Sequence, residues 1–110
     1  MRRFVLALCL LPSAGLAEDW VVLEGAALRQ ALEGRVVTYE SGAWQDFRAS
    51  GRTLYNAGRD SWGYWALRDD QYCSMWPPSD LWACYDVARR GDRIKFIGAS
   101  GDETVGEYKE

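Results

Sequence analysis

Residues 72–85 read Tyr-Cys-Ser-Met-Trp-Pro-Pro-Ser-Asp-Leu-Trp-Ala-Cys-Tyr. Two short runs rich in aromatic residues flank a Pro-Pro-Ser-Asp turn, a pattern that predicts a β-hairpin. If the chain folds back about Pro78 and Ser79, Cys73 lies opposite Cys84, at the close spacing that a cross-strand disulfide requires. This stretch therefore predicts antiparallel β-structure joined by a Cys73–Cys84 disulfide.

The first 17 residues have the features of a secretory signal peptide. Two arginines precede an apolar run over residues 4–16, and Ala17 stands immediately before two acidic residues. A basic start, a short apolar run and a small residue at the cleavage position are typical of such a leader. The run is too short to anchor the chain in a bilayer. We therefore expect an exported protein that begins at Glu18, with the periplasm favoured and the extracellular medium as the alternative.

The charge and the cysteines of the exported part, residues 18–110, restrict its class. It keeps 11 of the 13 basic residues and all 16 acidic residues, which gives a net charge of −5. An acidic chain without a basic run is a poor match for nucleic acid or for an anionic membrane surface. Two cysteines remain, and an even number in an exported chain indicates a disulfide. The length predicts a single domain over residues 18–110.

Hydrophobic periodicity divides the exported chain into one helix and a series of strands. Leucines and alanines at three- and four-residue spacings over residues 19–34 predict an amphipathic helix, which Asp19 could cap and Gly34 could end. From Arg35 onward the period is two, and short turns separate the strands, so neighbouring strands should be antiparallel. The fold class is therefore mainly β: a small antiparallel meander barrel of seven to eight strands with one N-terminal amphipathic helix. The predicted strands are Arg35–Glu40, Ala43–Ala49, Arg52–Ala57, Trp62–Arg68, Gln71–Trp76, Leu81–Ala88, Arg93–Ala99 and Glu103–Tyr108.

The predicted register places one mostly apolar set of side chains on a common face, which we interpret as the barrel interior. The register sets Gly63 opposite Trp76, where the missing side chain makes room for the indole, and a turn at residues 90–91 sets Val87 opposite Ile94. The large side chains of this face would fill most of so small a barrel. The alternative is that they line a cavity for one small ligand, either apolar or a sugar. The residues of that alternative cavity are Trp65, Tyr72, Trp76, Tyr85 and Phe96.

The opposite face is unusually apolar for a surface, because aromatic side chains surround the predicted disulfide. One interpretation is that the N-terminal helix packs over this patch and buries it. Otherwise the patch is exposed and marks a binding surface, with the Pro-Pro turn as a projecting tip. The predicted partner-binding residues are then Trp62, Tyr64, Met75, Trp82, Pro77 and Pro78.

The residue types also restrict the chemistry. The sequence has no histidine, and both remaining cysteines are expected in the disulfide, which removes the usual zinc sites and nucleophile–base pairs. We interpret Asp69-Asp70 as turn residues rather than a catalytic pair, and Asp102-Glu103 as a turn rather than a calcium loop. We therefore predict no catalytic residue, no metal site and no cofactor, and regard an enzyme as the remote alternative.

Three motifs stand out in the sequence: Ser61-x-Gly63-x-Trp65, Tyr72-Cys73-Ser74-x-Trp76-Pro77 and Trp82-x-Cys84-Tyr85. Together they resemble small exported bacterial proteins of unassigned function that pair a Gly-x-Trp strand with a two-cysteine hairpin. The resemblance covers roughly residues 32 to 108. In overall plan the chain is also similar to barrel-type periplasmic protease inhibitors, although no inhibitory motif matches and its N-terminal segment reads as a helix rather than a short inserting trunk.

Two functional hypotheses follow, both non-enzymatic. The favoured one is a protein–protein interaction or inhibitor-type module, whose partner is an unknown envelope or extracellular protein. The alternative is a carrier that holds a small ligand inside the barrel. Neither involves nucleic acid, and no membrane span is expected after the leader is removed.

Overall fold

The computed structural model describes residues 19–109, so the predicted leader lies outside the described residues. Within that range no helix is both long enough and apolar enough to cross a membrane. One helix, α1, spans Gly25–Leu32. The strands β1 to β9 span Val21–Val22, Arg35–Tyr39, Trp44–Phe47, Arg52–Asn56, Asp60–Arg68, Gln71–Met75, Ala83–Arg90, Arg93–Ile97 and Glu103–Tyr108.

Strands β2 to β9 form a closed antiparallel barrel in which each strand pairs with its neighbours in the sequence. The barrel closes where β9 pairs with β2, with Val37 opposite Tyr108. Strand β1 is additional and pairs with the second half of β7, with Val22 opposite Ala88. The prediction of a mainly β meander barrel is confirmed, with eight barrel strands, and each predicted strand coincides with an observed one to within two residues at either end.

The helix is shorter than the sequence predicts. Glu24 rather than Asp19 occupies the N-cap position, because residues 21–22 form β1 instead of the first helical turn. Gly34 follows the helix with a φ of +77°, in the left-handed region that suits glycine at a helix end. Ala27, which the periodicity assigns to the apolar stripe, is exposed.

Helix α1 closes one end of the barrel. Leu28, Ala31 and Leu32 are buried and join the barrel side chains in one hydrophobic cluster. The Tyr108 hydroxyl donates a 2.7 Å hydrogen bond to the carbonyl of Ala31, and the Gly25 N–H donates one of 2.9 Å to the Asp70 carboxylate. The interpretation in which the helix covers the outer aromatic patch is therefore wrong, because the helix packs across the barrel end.

The hairpin of β6 and β7 has the predicted register. Cys73 lies directly opposite Cys84, and the two form a disulfide with their Cα atoms 4.0 Å apart. On the other side of β6, Trp65 lies opposite Ser74, which is the register that the predicted pairing of Gly63 with Trp76 requires. These pairings send Ser74 into the barrel and Cys73 outward.

The register between β7 and β8 differs from the prediction by two residues. Val87 pairs with Phe96 rather than with Ile94. The reason is that Gly91, with a φ of +59°, is the first residue of the turn rather than the second, a place where hairpin turns favour glycine. A shift of two residues keeps each side chain on its face, so all three residues remain buried.

Candidate ligand-binding site

The barrel end opposite the helix opens into a cavity of about 370 Å³. The turns that follow β2, β4, β6 and β8 surround this end. Small-molecule sites are commonly cavities of this size in which a few polar groups stand among aromatic walls. The lining residues are Tyr39, Ser41, Gln45, Tyr55, Tyr72, Ser74, Trp76, Tyr85, Phe96, Asp102 and Thr104.

Four of the five predicted cavity residues line the cavity, namely Tyr72, Trp76, Tyr85 and Phe96. The fifth, Trp65, does not. Trp65 is only 6% exposed, and its ring packs edge-on against Phe47 with the centroids 5.7 Å apart. Its indole N–H donates a 2.8 Å hydrogen bond to the Arg48 carbonyl beside the turn after β3, at the helix end. The interior is therefore filled on the helix side and open on the other, so the large side chains of the predicted interior face do not fill the whole barrel.

The aromatic side chains of the lining form a nearly continuous wall. Tyr39 lies between Tyr55 and Phe96, with ring centroids 6.2 and 6.3 Å away. Phe96 lies 5.2 Å from Tyr72, which in turn stacks on Tyr85 at 5.8 Å. At the other end of the series, Trp76 meets Tyr55 edge-on at 6.2 Å. Contacts between rings at these distances are favourable, so they help to hold the wall in place.

Trp76 reaches the wall because Gly63 has no side chain. A Cβ atom at Gly63 would lie 2.6 Å from the Trp76 ring and 2.7 Å from the Met75 carbonyl oxygen, which is closer than such atoms approach. The Trp76 indole N–H donates a 3.2 Å hydrogen bond to the Ser74 hydroxyl. The prediction that Gly63 makes room for the Trp76 indole is confirmed.

A hydrogen-bond network built around the buried amide of Gln45 contributes polar groups to the lining. The Tyr39 hydroxyl donates a 2.7 Å hydrogen bond to Gln45 Oε1. Gln45 Nε2 donates to the Tyr72 hydroxyl at 2.9 Å and to Thr53 Oγ1 at 3.0 Å, and Thr53 donates to the Asp46 carbonyl at 2.8 Å. The network fixes both phenol oxygens in position before any ligand enters.

Both phenols of this network are held in their neutral form. Burial raises the pKa of Tyr39 well above its ordinary value, and the neighbouring Tyr72 adds to the effect. Burial also raises the pKa of Tyr72, against the opposing effect of hydrogen bonds with Ser74 and Gln45. The two groups therefore offer neutral hydroxyls to a ligand at physiological pH.

We expect the folded state to lose stability as the pH rises above about 10. Because folding raises the pKa of Tyr39 and Tyr72, the unfolded chain releases these protons first. Their contribution is fully present below the unfolded pKa and declines above it, by up to about 1.4 kcal/mol per pH unit for each tyrosine. Urea unfolding from about pH 8 to about pH 11 measures the decline. The Tyr72→Phe variant should decline less steeply, and an unchanged midpoint would contradict the prediction.

Asp102 lies at the rim of the cavity, in the turn between β8 and β9. The Gly98 N–H donates a 2.8 Å hydrogen bond to the Asp102 carbonyl, and the Ser100 hydroxyl donates one of 2.7 Å to the Asp102 carboxylate. The carboxylate lies over Gly98, where a Cβ atom would come within 2.9 Å of Asp102 Cγ. The turn thus holds one carboxylate at a defined place beside the opening.

Among the lining residues that were not predicted from the sequence are Tyr39, Tyr55, Gln45 and Asp102. The sequence pattern predicts no register for β2, β3 or β4 and indicates only a turn at Asp102. A signal was present for Tyr39, since period-two alternation places it on the same face of its strand as the apolar Val37. Nothing local indicates that the side chain of Gln45 points into the barrel.

The predicted partner-binding residues lie on the outside of the barrel. Trp62 and Tyr64 are 38% and 41% exposed, Met75 and Trp82 are half-buried, and both prolines of the turn are exposed. Arginine side chains lie over the rings: Arg48 and Arg52 are 4.8 and 4.9 Å from the Trp62 centroid, and Arg68 is 4.3 Å from that of Trp82. The sequence-based analysis named none of these arginines. This outer face is therefore mixed aromatic and basic rather than apolar.

Comparison of the chain with protein-family models, with curated proteins and with solved structures finds no match. The resemblance to small exported bacterial proteins and to barrel-type inhibitors therefore stays a prediction.

Proposed function

We propose that the protein is an exported, non-enzymatic binding protein that takes up a small molecule in the open end of its barrel. The observation that carries the proposal is the cavity of about 370 Å³, closed below by the helix-side core and walled by aromatic rings. The predicted leader and the Cys73–Cys84 disulfide support export, with the periplasm favoured.

Two properties of the cavity favour a bound ligand over a structural void. Its polar groups are already oriented, because the Gln45 network fixes Tyr39 and Tyr72. Its wall includes Trp76, for which Gly63 provides space. Side chains that are held in place lose little entropy when a ligand binds, and this lowers the cost of binding.

The chemistry of the lining favours binding over catalysis. The sequence has no histidine, and Asp102 is the single carboxylate among the lining residues. General acid–base catalysis commonly uses histidine or a pair of carboxylates with different pKa values. The site therefore supports a carrier or sensor of a small molecule.

A neutral apolar dye tests the proposal. We expect N-phenylnaphthylamine to bind with one-to-one stoichiometry, which would enhance dye emission and quench tryptophan emission, since Trp76 lines the cavity. Thr104→Trp places a large ring in the lining and should abolish binding. Thr38→Trp is the matched control, because Thr38 is an exposed threonine that does not line the cavity. The absence of saturable emission changes in the native protein, or equal binding by both variants, would reject the site.

The outer face supports a second candidate function, protein–protein interaction. Exposed Trp62 and Tyr64 lie beside Arg48 and Arg52, and tryptophan, tyrosine and arginine are the residues most enriched at binding hot spots. The partner in this hypothesis is an envelope or extracellular protein, and an inhibitor-type role falls under it.

We expect affinity capture from envelope extract to retain a partner on the native protein and to lose it on the Trp62→Ala/Trp82→Ala variant. Both proteins must first give matching near-ultraviolet circular dichroism spectra. Because Trp62 is more than a third exposed, its replacement should change stability little. Unfolding of the variant, or equal retention by both proteins, would reject the outer face as the interaction surface.

A further inference from the structure

Some aromatic rings of the described residues have an arginine or lysine group over them, and others do not. Among residues 19–109, arginine or lysine groups lie 3.7–5.2 Å from the centroids of five rings. None of these five rings lines the cavity. Within this range, the arginine and lysine groups therefore lie over aromatic rings outside the cavity and not over those that line it. The five rings are those of Trp20, Trp62, Tyr64, Trp82 and Tyr108.

The remaining groups of the lining also favour a positive ligand. Asp102 is the only acidic or basic lining residue apart from the tyrosines, and no lysine or arginine belongs to the lining. The Ser100 hydroxyl and the space over Gly98 hold its carboxylate at the rim. An aromatic face carries partial negative charge, so a cation placed among several rings and near a carboxylate is attracted by both.

We propose that the ligand is an organic cation of the quaternary or methylated ammonium class, held with its charged group among the cavity rings and beside Asp102. This inference rests on the proposed ligand-binding function and narrows it to one chemical class. A primary ammonium is strongly hydrated and needs several strong acceptors, and Asp102 is the only carboxylate of the lining. A methylated ammonium requires no such hydrogen bonds and packs directly against aromatic faces.

A neutral sugar is the competing ligand. It could stack on Trp76 or Tyr55, but it would leave the Asp102 carboxylate without a charged partner. The two ligand classes therefore differ in whether a positive charge on the ligand improves binding.

The experiment compares choline with dimethylbutanol, in which a carbon atom replaces the choline nitrogen and removes the charge. Each compound is titrated into the protein by calorimetry. In a second measurement, each is tested for its ability to displace bound N-phenylnaphthylamine. We expect choline to bind at least about tenfold more tightly than its neutral isostere, the size of a desolvated cation–aromatic interaction. Equal or tighter binding of dimethylbutanol would overturn the inference while leaving the ligand-binding function intact.

The dye separates the failure of this inference from the failure of the proposed function. If the dye binds saturably and choline does not displace it, the cation class is overturned and the cavity remains a binding site. If neither the dye nor choline binds, the proposed ligand-binding function and the cation class are both overturned.

Substitution of Asp102 tests the position of the charge. Asp102→Asn should weaken choline binding about two- to fivefold, as expected for an ion pair with an exposed carboxylate. Asp92→Asn is the matched control, because Asp92 is an exposed aspartate in the turn after β7, at the other end of the barrel. Equal effects of the two substitutions on choline binding would overturn the placement of the cation beside Asp102.

Discussion

Replacement of Phe47 with alanine should lower the free energy of unfolding by about 3–5 kcal/mol. Phe47 is fully buried, and its ring packs edge-on against Trp65 and Tyr72 and stacks on Phe96, with centroid distances of 5.7, 5.5 and 6.1 Å. The substitution removes these contacts and leaves a void in the core cluster that Leu28 and Leu32 of the helix share. Since a domain of this size is commonly stable by only about 5–15 kcal/mol, the loss is a large fraction of the total.

Urea unfolding of Phe47→Ala measures this loss, and Tyr64→Ala is its matched control. Tyr64 is also aromatic, but it is 41% exposed on the outer face, so its removal should cost no more than about 1 kcal/mol. If Phe47→Ala does not fold, Phe47→Leu keeps most of the buried volume and gives a smaller, measurable loss. Equal losses for Phe47→Ala and Tyr64→Ala would contradict the position of Phe47 in the core.

Phe47 also connects the core to the cavity. Two of its ring partners, Tyr72 and Phe96, belong to the aromatic wall. A void at Phe47 would therefore loosen the wall as well as the core, and we expect Phe47→Ala to weaken dye binding even at temperatures where it remains folded.

The β5–β6–β7 part of the fold could be predicted because its signals are local. The turn residues between Cys73 and Cys84 fix the register of that hairpin, and the glycine of the Gly-x-Trp strand, Gly63, has its partner in Trp76 on the next strand. The predicted register of β7–β8 was wrong by two residues, but each side chain was still assigned to the correct face of the sheet, because side chains alternate with a period of two.

The place of the helix could not be predicted from its own residues. Its apolar stripe indicates only that it must pack against something apolar, and both the barrel end and the outer aromatic patch satisfied that condition. The structure places Leu28 and Leu32 against the barrel end, while the arginines beside Trp62 supply an alternative cover for the outer patch. The cavity was underestimated for the same reason, since its existence depends on the end that the helix leaves open.

Strand β1 was missed because two residues are too short for a period to be recognised. The residues that follow Val21 and Val22 have helical spacing, so the sequence pattern predicts a helix that includes these two valines. They pair with β7 at Ala88 and Arg89, beyond the point where β6 stops pairing with that strand. Such pairing depends on the relative lengths of two distant strands, which the local sequence does not contain.

Removal of the Cys73–Cys84 disulfide should lower the free energy of unfolding by about 3 kcal/mol. The two cysteines are 11 residues apart in sequence, and cross-linking a loop of this length restricts the unfolded chain by about that amount. For a domain of roughly 90 residues such a loss lowers Tm by about 12 °C or more. A Cys73→Ala/Cys84→Ala double variant, compared by thermal unfolding with the native protein, measures the effect.

The double variant also shows whether the disulfide shapes the cavity or only stabilises the hairpin. Cys73 and Cys84 face outward, whereas Ser74 and Tyr85, next to them in sequence, line the cavity. Because the paired register is also held by main-chain hydrogen bonds, we expect the folded double variant to bind the dye with nearly native affinity. Addition of dithiothreitol should lower the Tm of the native protein toward that of the double variant and leave the variant unchanged. An equal response of the two proteins would contradict the disulfide, and loss of dye binding by the folded variant would mean that the bond is needed to position the cavity wall.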